Sequence, residues 1–239
     1  MQSKYFFYNE DSYILHQRPY MNTSAIIDFI TLNHGLISLV VKGLRRNNNK
    51  KKGLFIPFNE LKISFSKKSD LGNLNNIDSN NHSLLLKKES LMAGYYINEL
   101  LIRLATRSDP NVELYNAYVS AIDDLSKGVS TAKSVRIFEI RLLRSIGYGI
   151  NFTKEIITGK SINPSLYYKF EPENGLILYS GSLDGNDIFL GKDLICMANL
   201  DFNSFSVLRS AKYLLSIALN NQLGGKPLKT TYVLNHLYR

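Results

Sequence analysis

The spacing of hydrophobic positions changes once along the chain, near residue 84. Before that point the apolar residues fall in short β-branched and aromatic runs. Ser12–His16 is one, ending at the turn-like Arg18-Pro19. Ser24–Thr31 and Leu36–Lys42 are two more, separated by the breaker Asn33-His34-Gly35 in a hairpin pattern. Leu54–Phe58 and Leu61–Phe65 follow, and the second alternates, with Leu61, Ile63 and Phe65 on one face and Lys62 and Ser64 on the other. A last strand is expected around Leu71–Ile77, inside an Asn- and Ser-rich stretch that otherwise reads as a linker. Four or five short strands joined by turns predict a small barrel or sandwich. The domain boundary is placed near Asn81.

From Leu84 the period becomes helical. Leu84, Leu85, Met92, Tyr95, Tyr96 and Leu100 fit a helix running to about Ala105, with Gly94 as an internal weak point. Asp109 as N-cap and Pro110 in the first turn predict a second helix to about Ser126, with Leu114, Tyr118, Ile122 and Leu125 on its buried stripe. A third runs from Thr131 to Ile146 and stops at Gly147. Leu166–Phe170 and Gly175–Ser180 read as strands around a Glu173-Asn174-Gly175 turn. Ser204–Asn221 reads as a long helix that buries Phe205, Leu208, Ala211, Leu215, Ala218 and Leu219 and closes at Gly224-Gly225. A short final helix is expected after Pro227. The fold class predicted is α+β: a β-barrel followed by a helical domain with a small strand insertion.

Composition narrows the function. The 239 residues carry 29 Lys and Arg against 20 Asp and Glu, a formal charge of +9, which favours a polyanionic partner. One cysteine, Cys196, excludes an intrachain disulfide and a multi-cysteine zinc site, and suits a reducing compartment. Apolar runs such as Leu36–Val41 fall far short of the roughly 20 residues that cross a bilayer. Met1–Asn9 has no apolar core of signal-peptide length. The expected location is cytoplasmic, with no membrane partner.

The charge is concentrated. Lys42, Arg45, Arg46, Lys50, Lys51 and Lys52 give six cations in eleven residues with no acid, in a loop between two predicted strands. Such a loop can neutralise phosphates, a term that ignores base sequence and falls with salt. The alternative is a solvated basic loop. Rings at Tyr13, Tyr20, Phe29, Phe55, Phe58 and Phe65 are expected mostly in the core, with Tyr20 the most exposed. Thr158-Gly159-Lys160-Ser161 imitates a phosphate loop, but the position needing the first Gly is Lys154 and Asn163-Pro164 blocks the following helix. His16, His34, His82 and His236 are scattered, and no acidic cluster has two-metal spacing. No cofactor, metal or catalytic residue is expected. In the third helix, Arg136, Arg141 and Arg144 lie among Val135, Ile137, Phe138, Ile140, Leu142 and Leu143, with Arg136, Ile140 and Arg144 at a spacing of four. This is either ordinary packing with snorkelling arginines or an apolar groove rimmed by Arg.

Several segments together resemble the bacterial RecO recombination mediators. They are Ile14–Tyr20 with Thr23-Ser24, Gly35–Gly43 with its Leu-Val-Val-Lys-Gly end, Lys52-Gly53-Leu54 with Pro57-Phe58, and the specific stretch Gly94-Tyr95-Tyr96-Ile97-Asn98-Glu99-Leu100-Leu101. Phe138–Leu143, Ile146–Gly149 and Leu223–Lys229 follow in the same order. The resemblance implies an N-terminal oligonucleotide/oligosaccharide-binding (OB) barrel over residues 1–81 and a helical domain over 82–239. It implies no bond-breaking chemistry. The implied activities are binding of single- and double-stranded DNA, annealing of complementary strands, and contact with the acidic C-terminal tail of single-stranded-DNA-binding protein (SSB). With RecR, and RecF as a further candidate partner, such proteins help load RecA on SSB-coated strands. The protein alone would be a monomer, and its place would be the nucleoid.

Arg18, Lys42, Arg45, Arg46, Lys50, Lys51 and Lys52 are then the DNA-binding candidates. Arg136, Ile140, Arg141 and Arg144 are the tail-binding candidates, Arg136 matching the family position and Ile137 replacing a second Arg kept by many relatives. Some relatives carry a four-cysteine zinc ribbon in the region aligned with 150–200. This chain resembles the metal-free branch, and its strands at 166–180 would be the ribbon's remnant. Two other classes compete: a generic basic OB module acting on RNA or the ribosome, and a nucleic-acid enzyme.

Overall fold

The computed structural model describes residues 4–48, 51–79, 85–183 and 185–230. The chain divides into two compact units, Met1–Gly128 together with the segment from Leu228, and Val129–Pro227. Asn81, the expected boundary, lies outside the described residues, as do His82, His236 and most of the final helix expected after Pro227.

The first unit opens with β1 (Tyr5–Tyr20), β2 (Ser24–Thr31), β3 (Gly35–Val41), β4 (Leu61–Lys67) and β5 (Leu71–Ser79). They close into a barrel in the order β1-β2-β3-β5-β4, with a parallel pairing of β3 and β5 and antiparallel pairing elsewhere. This is the five-stranded OB arrangement. Alternate residues fill its interior: Ala25, Ile27 and Phe29 from β2, Ile37, Leu39 and Val41 from β3, and Leu61, Ile63 and Phe65 from β4. Two expectations need correcting. The first strand begins at Tyr5 rather than Ser12, and bulges between Phe7 and Glu10 and between Ile14 and His16 let one long strand serve two neighbours. Leu54–Phe58 is not a strand: a 3-10 turn over Lys52–Leu54 leads to Pro57, which has no N–H for a ladder, and to Phe58 at φ 72°. Leu54 and Phe55 pack on the barrel core as a plug.

Two helices complete the described part of this unit, α1 (Lys88–Leu104) and α2 (Val112–Ser126). The cap of α2 is Asn111, whose side chain accepts from the Leu114 N–H at 2.9 Å, so Asp109 and Pro110 belong to the preceding connector. The bulge at Leu15 takes its carbonyl out of the strand ladder, and Asn98 of α1 meets it there. Asn98 Nδ2 donates to the carbonyls of Leu15 at 2.9 Å and Ile14 at 3.5 Å, and its Oδ1 accepts from the Tyr118 hydroxyl of α2 at 3.0 Å. Asn98 and Tyr118 are buried. Burial pushes the Tyr118 phenol up, so it remains a proton donor to Asn98. Gly94 has its own reason: a Cβ there would lie 2.8 Å from Phe58, whose ring meets Tyr95 edge-on. Glu99, on the same helix, accepts from the N–H groups of Lys229 and Thr230 and from the Thr230 hydroxyl. Burial acts to raise its pKa, but those three donors and the Arg103 charge hold it below the ordinary glutamate range.

The second unit contains α3 (Thr131–Ser145), β6 (Tyr167–Glu171), β7 (Gly175–Tyr179), β8 (Ile188–Leu190), α4 (Gly191–Ala198) and α5 (Phe205–Gln222). Gly147 at φ 89° ends α3, and Gly224 and Gly225, both at positive φ, follow α5. β8 and α4, at 3 and 8 residues, are too short for periodicity to expose them. β8 completes a three-stranded sheet in the order β7-β6-β8. Phe205 is 81% exposed at the start of α5, and Val207 takes the core position instead, four residues before Ala211 on the stripe that continues through Leu214, Leu215 and Ala218.

Asn98→Ala leaves the Leu15 carbonyl and the Tyr118 hydroxyl buried without their shared partner. It is expected to lower the unfolding free energy by about 2 kcal/mol, and Tyr118→Phe by about 1 kcal/mol. Urea denaturation measures both, and an unchanged midpoint for Asn98→Ala would contradict this account of the clamp.

Candidate nucleic-acid interface

The basic connector leaves β3 at Val41 and is pinned at two places. Leu44 is buried in the barrel core, and the Arg45 N–H donates to the Thr23 carbonyl at 2.9 Å. Lys42, Arg45, Arg46, Lys51 and Lys52 are all exposed, and Lys50 lies outside the described residues. Arg45 and Lys52 come together with Gln17, Leu44 and Phe55 around a cleft of about 280 Å³. The Arg45 guanidinium also reaches the Met21 carbonyl at 3.4 Å. Lys51 is held on β5, its Nζ donating to Asn76 Oδ1 at 2.8 Å and to the Ile77 carbonyl at 3.3 Å. Arg18 is exposed but faces a different depression, lined also by Ile26, Leu36, Leu71 and Arg107. The structure thus brings Arg45 and Lys52 together and leaves Arg18 apart.

One barrel face is already occupied. Every residue of β2 is buried. The connector between α1 and α2 lies against this side: Ser108 N–H donates to the Leu36 carbonyl at 2.9 Å, and a Cβ on Gly35 would collide with the Asp109 carbonyl. Asp28, 1% exposed, takes hydrogen bonds from Ser38 Oγ and from Arg107 at 3.1 Å, and His16 Nδ1 stands 3.8 Å from its other oxygen. Arg107 also donates to Ser38 Oγ at 2.6 Å. Sequence reasoning missed Arg107, because a lone Arg beside Ser108-Asp109-Pro110 reads as an ordinary polar turn. Of the rings expected in the core, Tyr13, Phe29, Phe58 and Phe65 are buried, while Phe55 and Tyr20 are half-buried. Burial, with the Glu60 and Asp11 charges, pushes the Tyr13 phenol up to about 12.

The arginines of α3 differ in kind. Arg136 pairs with Glu139 one turn on, at 2.9 Å, with the arginine side chain 16% exposed and the glutamate fully buried. Ile140 is buried in the core of the unit and lines no open surface. Arg141 is half-buried and Arg144 exposed. A cleft of about 220 Å³ lies past the C-terminal end of α3, bordered by Leu143, Tyr148, Lys154, Ile156 and Phe170, and none of the four tail-binding candidates lines it. The Thr158–Ser161 turn has its amides taken: Glu155 accepts from the N–H groups of Ile157 and Thr158 and from the Thr158 hydroxyl. The Thr158 hydroxyl, working against burial and aided by those amides, holds the Glu155 pKa below the ordinary glutamate range. A carboxylate therefore sits where a phosphate would have to bind. Among the described residues no three His, Cys, Asp or Glu side chains come together as a metal site, and no helix is long and apolar enough to cross a membrane. Cys196 is on α4, and the β6–β7 hairpin and β8 bury Tyr168, Phe170, Leu176 and Phe189.

The Recombination protein O N terminal family matches residues 3–81, and Recombination protein O C terminal matches 88–231. The chain belongs to the RecO family. A DNA repair protein RecO of Coxiella burnetii is 37% identical over 225 residues, covering 94% of this chain and 96% of its own. One of Actinobacillus pleuropneumoniae serotype 3 is 35% identical over 219 residues, 91% of this chain and 90% of its own. One of Glaesserella parasuis serovar 5 is 34% identical, with 91% of each chain covered. RecO proteins are DNA repair and recombination proteins, and this chain has the family's α+β organisation.

Arg136→Ala removes the partner of a buried carboxylate and is expected to lower the unfolding free energy by about 2 kcal/mol. Arg144→Ala, at an exposed site, should change it by less than about 0.5 kcal/mol. Equal urea midpoints for the two variants would contradict the structural role of the Arg136–Glu139 pair.

Proposed function

We propose that this protein binds single- and double-stranded DNA through its barrel and brings complementary strands together without a catalytic centre, in the cytoplasm at the nucleoid. The observation that carries the reading is the exposed cationic connector on an OB barrel in a chain of the RecO family. Arg45 and Lys52 at one cleft, Arg18 at a second depression, and the further connector cations Lys42, Arg46, Lys50 and Lys51 neutralise phosphates. Two strands held this way repel each other less while their bases pair. We further propose that α3 receives the acidic C-terminal tail of SSB, with Arg141 and Arg144 as the accessible cations and Arg136 and Ile140 forming the packed side beneath them. Partnership with RecR, RecF as a further partner, and assistance to RecA on SSB-coated strands complete the proposal.

Changing Lys50, Lys51 and Lys52 together to Ala is expected to weaken DNA binding and flatten the dependence of log K on log salt by about 2 to 3 units. Anisotropy titrations across a salt series measure this, and an unchanged slope would remove the connector from the binding surface. Annealing of strands precoated with cognate SSB tests the second part. Arg144→Ala is the suitable variant, because Arg136→Ala also disturbs the unit's stability. The variant should anneal bare strands like wild type and lose acceleration on coated strands; equal loss on both would refute a tail-specific role.

A further inference from the structure

The sequence begins its first strand with four consecutive rings, Tyr5, Phe6, Phe7 and Tyr8, after Lys4. In the barrel, Phe7 turns inward and stacks on Phe65 at 4.7 Å between ring centroids. Strand alternation turns Phe6 outward, Tyr8 opens the bulge between Phe7 and Glu10, and the two rings are 51% and 72% exposed. Two large rings on one exposed sheet face call for a partner.

Their surroundings say which kind. Phe6 lies opposite Ser66, which in turn lies opposite Asn73 on β5. Just past Tyr8, the Asn9 N–H donates to Ser64 Oγ, and Ser64 lies opposite Asn76, the residue that holds the Lys51 ammonium. The outer side of β1, β4 and β5 thus runs from the rings, past the buried Ser66 and the half-buried Ser64 and Asn73, to the exposed Asn76 and a lysine of the basic connector about 10 Å away. Lys4 stands 4.9 Å from the Phe6 ring centroid, Lys68 is exposed, and Lys67 reaches Ser108 at 2.6 Å. Of the acids here, Asp11 is paired with Lys62 at 2.6 Å, and Asp78 accepts from Asn76, the same residue that holds the Lys51 ammonium. On the opposite side, β2 is buried along its length, and the α1–α2 connector meets β2 and the start of β3 through Arg107, Ser108 and Asp109.

We propose that Phe6 and Tyr8 form a stacking platform for the unpaired bases of single-stranded DNA, its backbone running toward Lys51. This rests on the DNA-binding reading and deepens it. Phosphate contacts alone do not separate single strands from duplex, but rings do, because only unpaired bases can leave the stack to lie on them. Two rings two residues apart stand roughly 7 Å from each other, room for one base on each. A base lying on a ring keeps its pairing edge free for a complementary strand, which is the state annealing needs.

The full-length protein tests this by anisotropy with labelled oligothymidylate and, separately, a labelled duplex. The Phe6→Ala/Tyr8→Ala variant is expected to bind the single strand about tenfold or more weaker, with duplex affinity and salt slope unchanged, and Tyr8→Phe should retain binding. Since the chain has no tryptophan, Tyr8→Trp supplies a unique emission that stacked thymine should quench. A double variant that binds the single strand like wild type, a parallel loss on single strand and duplex, or unquenched emission on a saturated single strand would each overturn the platform. The same holds if the double variant keeps DNA binding and instead loses only a protein partner. If wild type binds neither DNA, the DNA-binding reading fails with it; if wild type binds both and only the ring variants are silent, that reading stands and the platform falls.

Discussion

The first unit depends on one amide. A barrel strand that bulges leaves a carbonyl outside the ladder, and a buried carbonyl without a donor is costly. Asn98 is the donor, and its own carbonyl is occupied by Tyr118. One side chain thus fixes the bulged part of β1 to α1 and α1 to α2. The neighbouring residues follow from that docking. Gly94 must be small for Phe58 to approach, Ile97 and Leu101 fill the space beside the strand, and Glu99 looks the other way to the segment after Leu228. The most specific stretch of the family resemblance is therefore a joint rather than a binding site.

This joint decides where the barrel can meet a ligand. Docking the connector over β2 and β3 buries Asp28 with Arg107 and Ser38 and removes that face from solvent. What stays open is the basic connector, the first residues of β1 and part of the outer side of β4 and β5. Charge supplies range and tolerance of base sequence there, and exposed rings supply contact with the bases themselves. The second unit works differently. Its arginines are partly committed to internal structure, since Arg136 serves a buried glutamate and Arg144 faces solvent.

Much of this was legible in the sequence, for physical reasons that differ by element. β2, β3 and β4 could be read because one face of each fills the barrel, and α2, α3 and α5 because each carries a clear apolar stripe. Leu54–Phe58 misled because a plug of apolar residues has the composition of a strand without its ladder. Phe205 misled because a large ring at the helix start looks like a core residue, while the stripe through Ala211 and Ala218 begins at Val207. The basic connector was visible as composition alone. Its division was not, since only the folded chain places Arg45 beside Lys52, Lys51 on β5 and Arg18 elsewhere. The Arg107–Asp28 contact spans 79 positions, and no local pattern reports a pair so far apart. Tyr5–Tyr8 were overlooked because they precede the first alternating run, and their exposure depends on a register that Phe7 sets.

The Glu99 contact has a bearing on the order in which the protein takes shape. Its donors, Lys229 and Thr230, emerge from the ribosome only after the whole of Val129–Pro227 has been made. The barrel and its two helices can form early, yet their last hydrogen bonds wait for a segment on the far side of another unit. A chain truncated before Lys229 would leave the Glu99 carboxylate without these donors, however well the rest had folded.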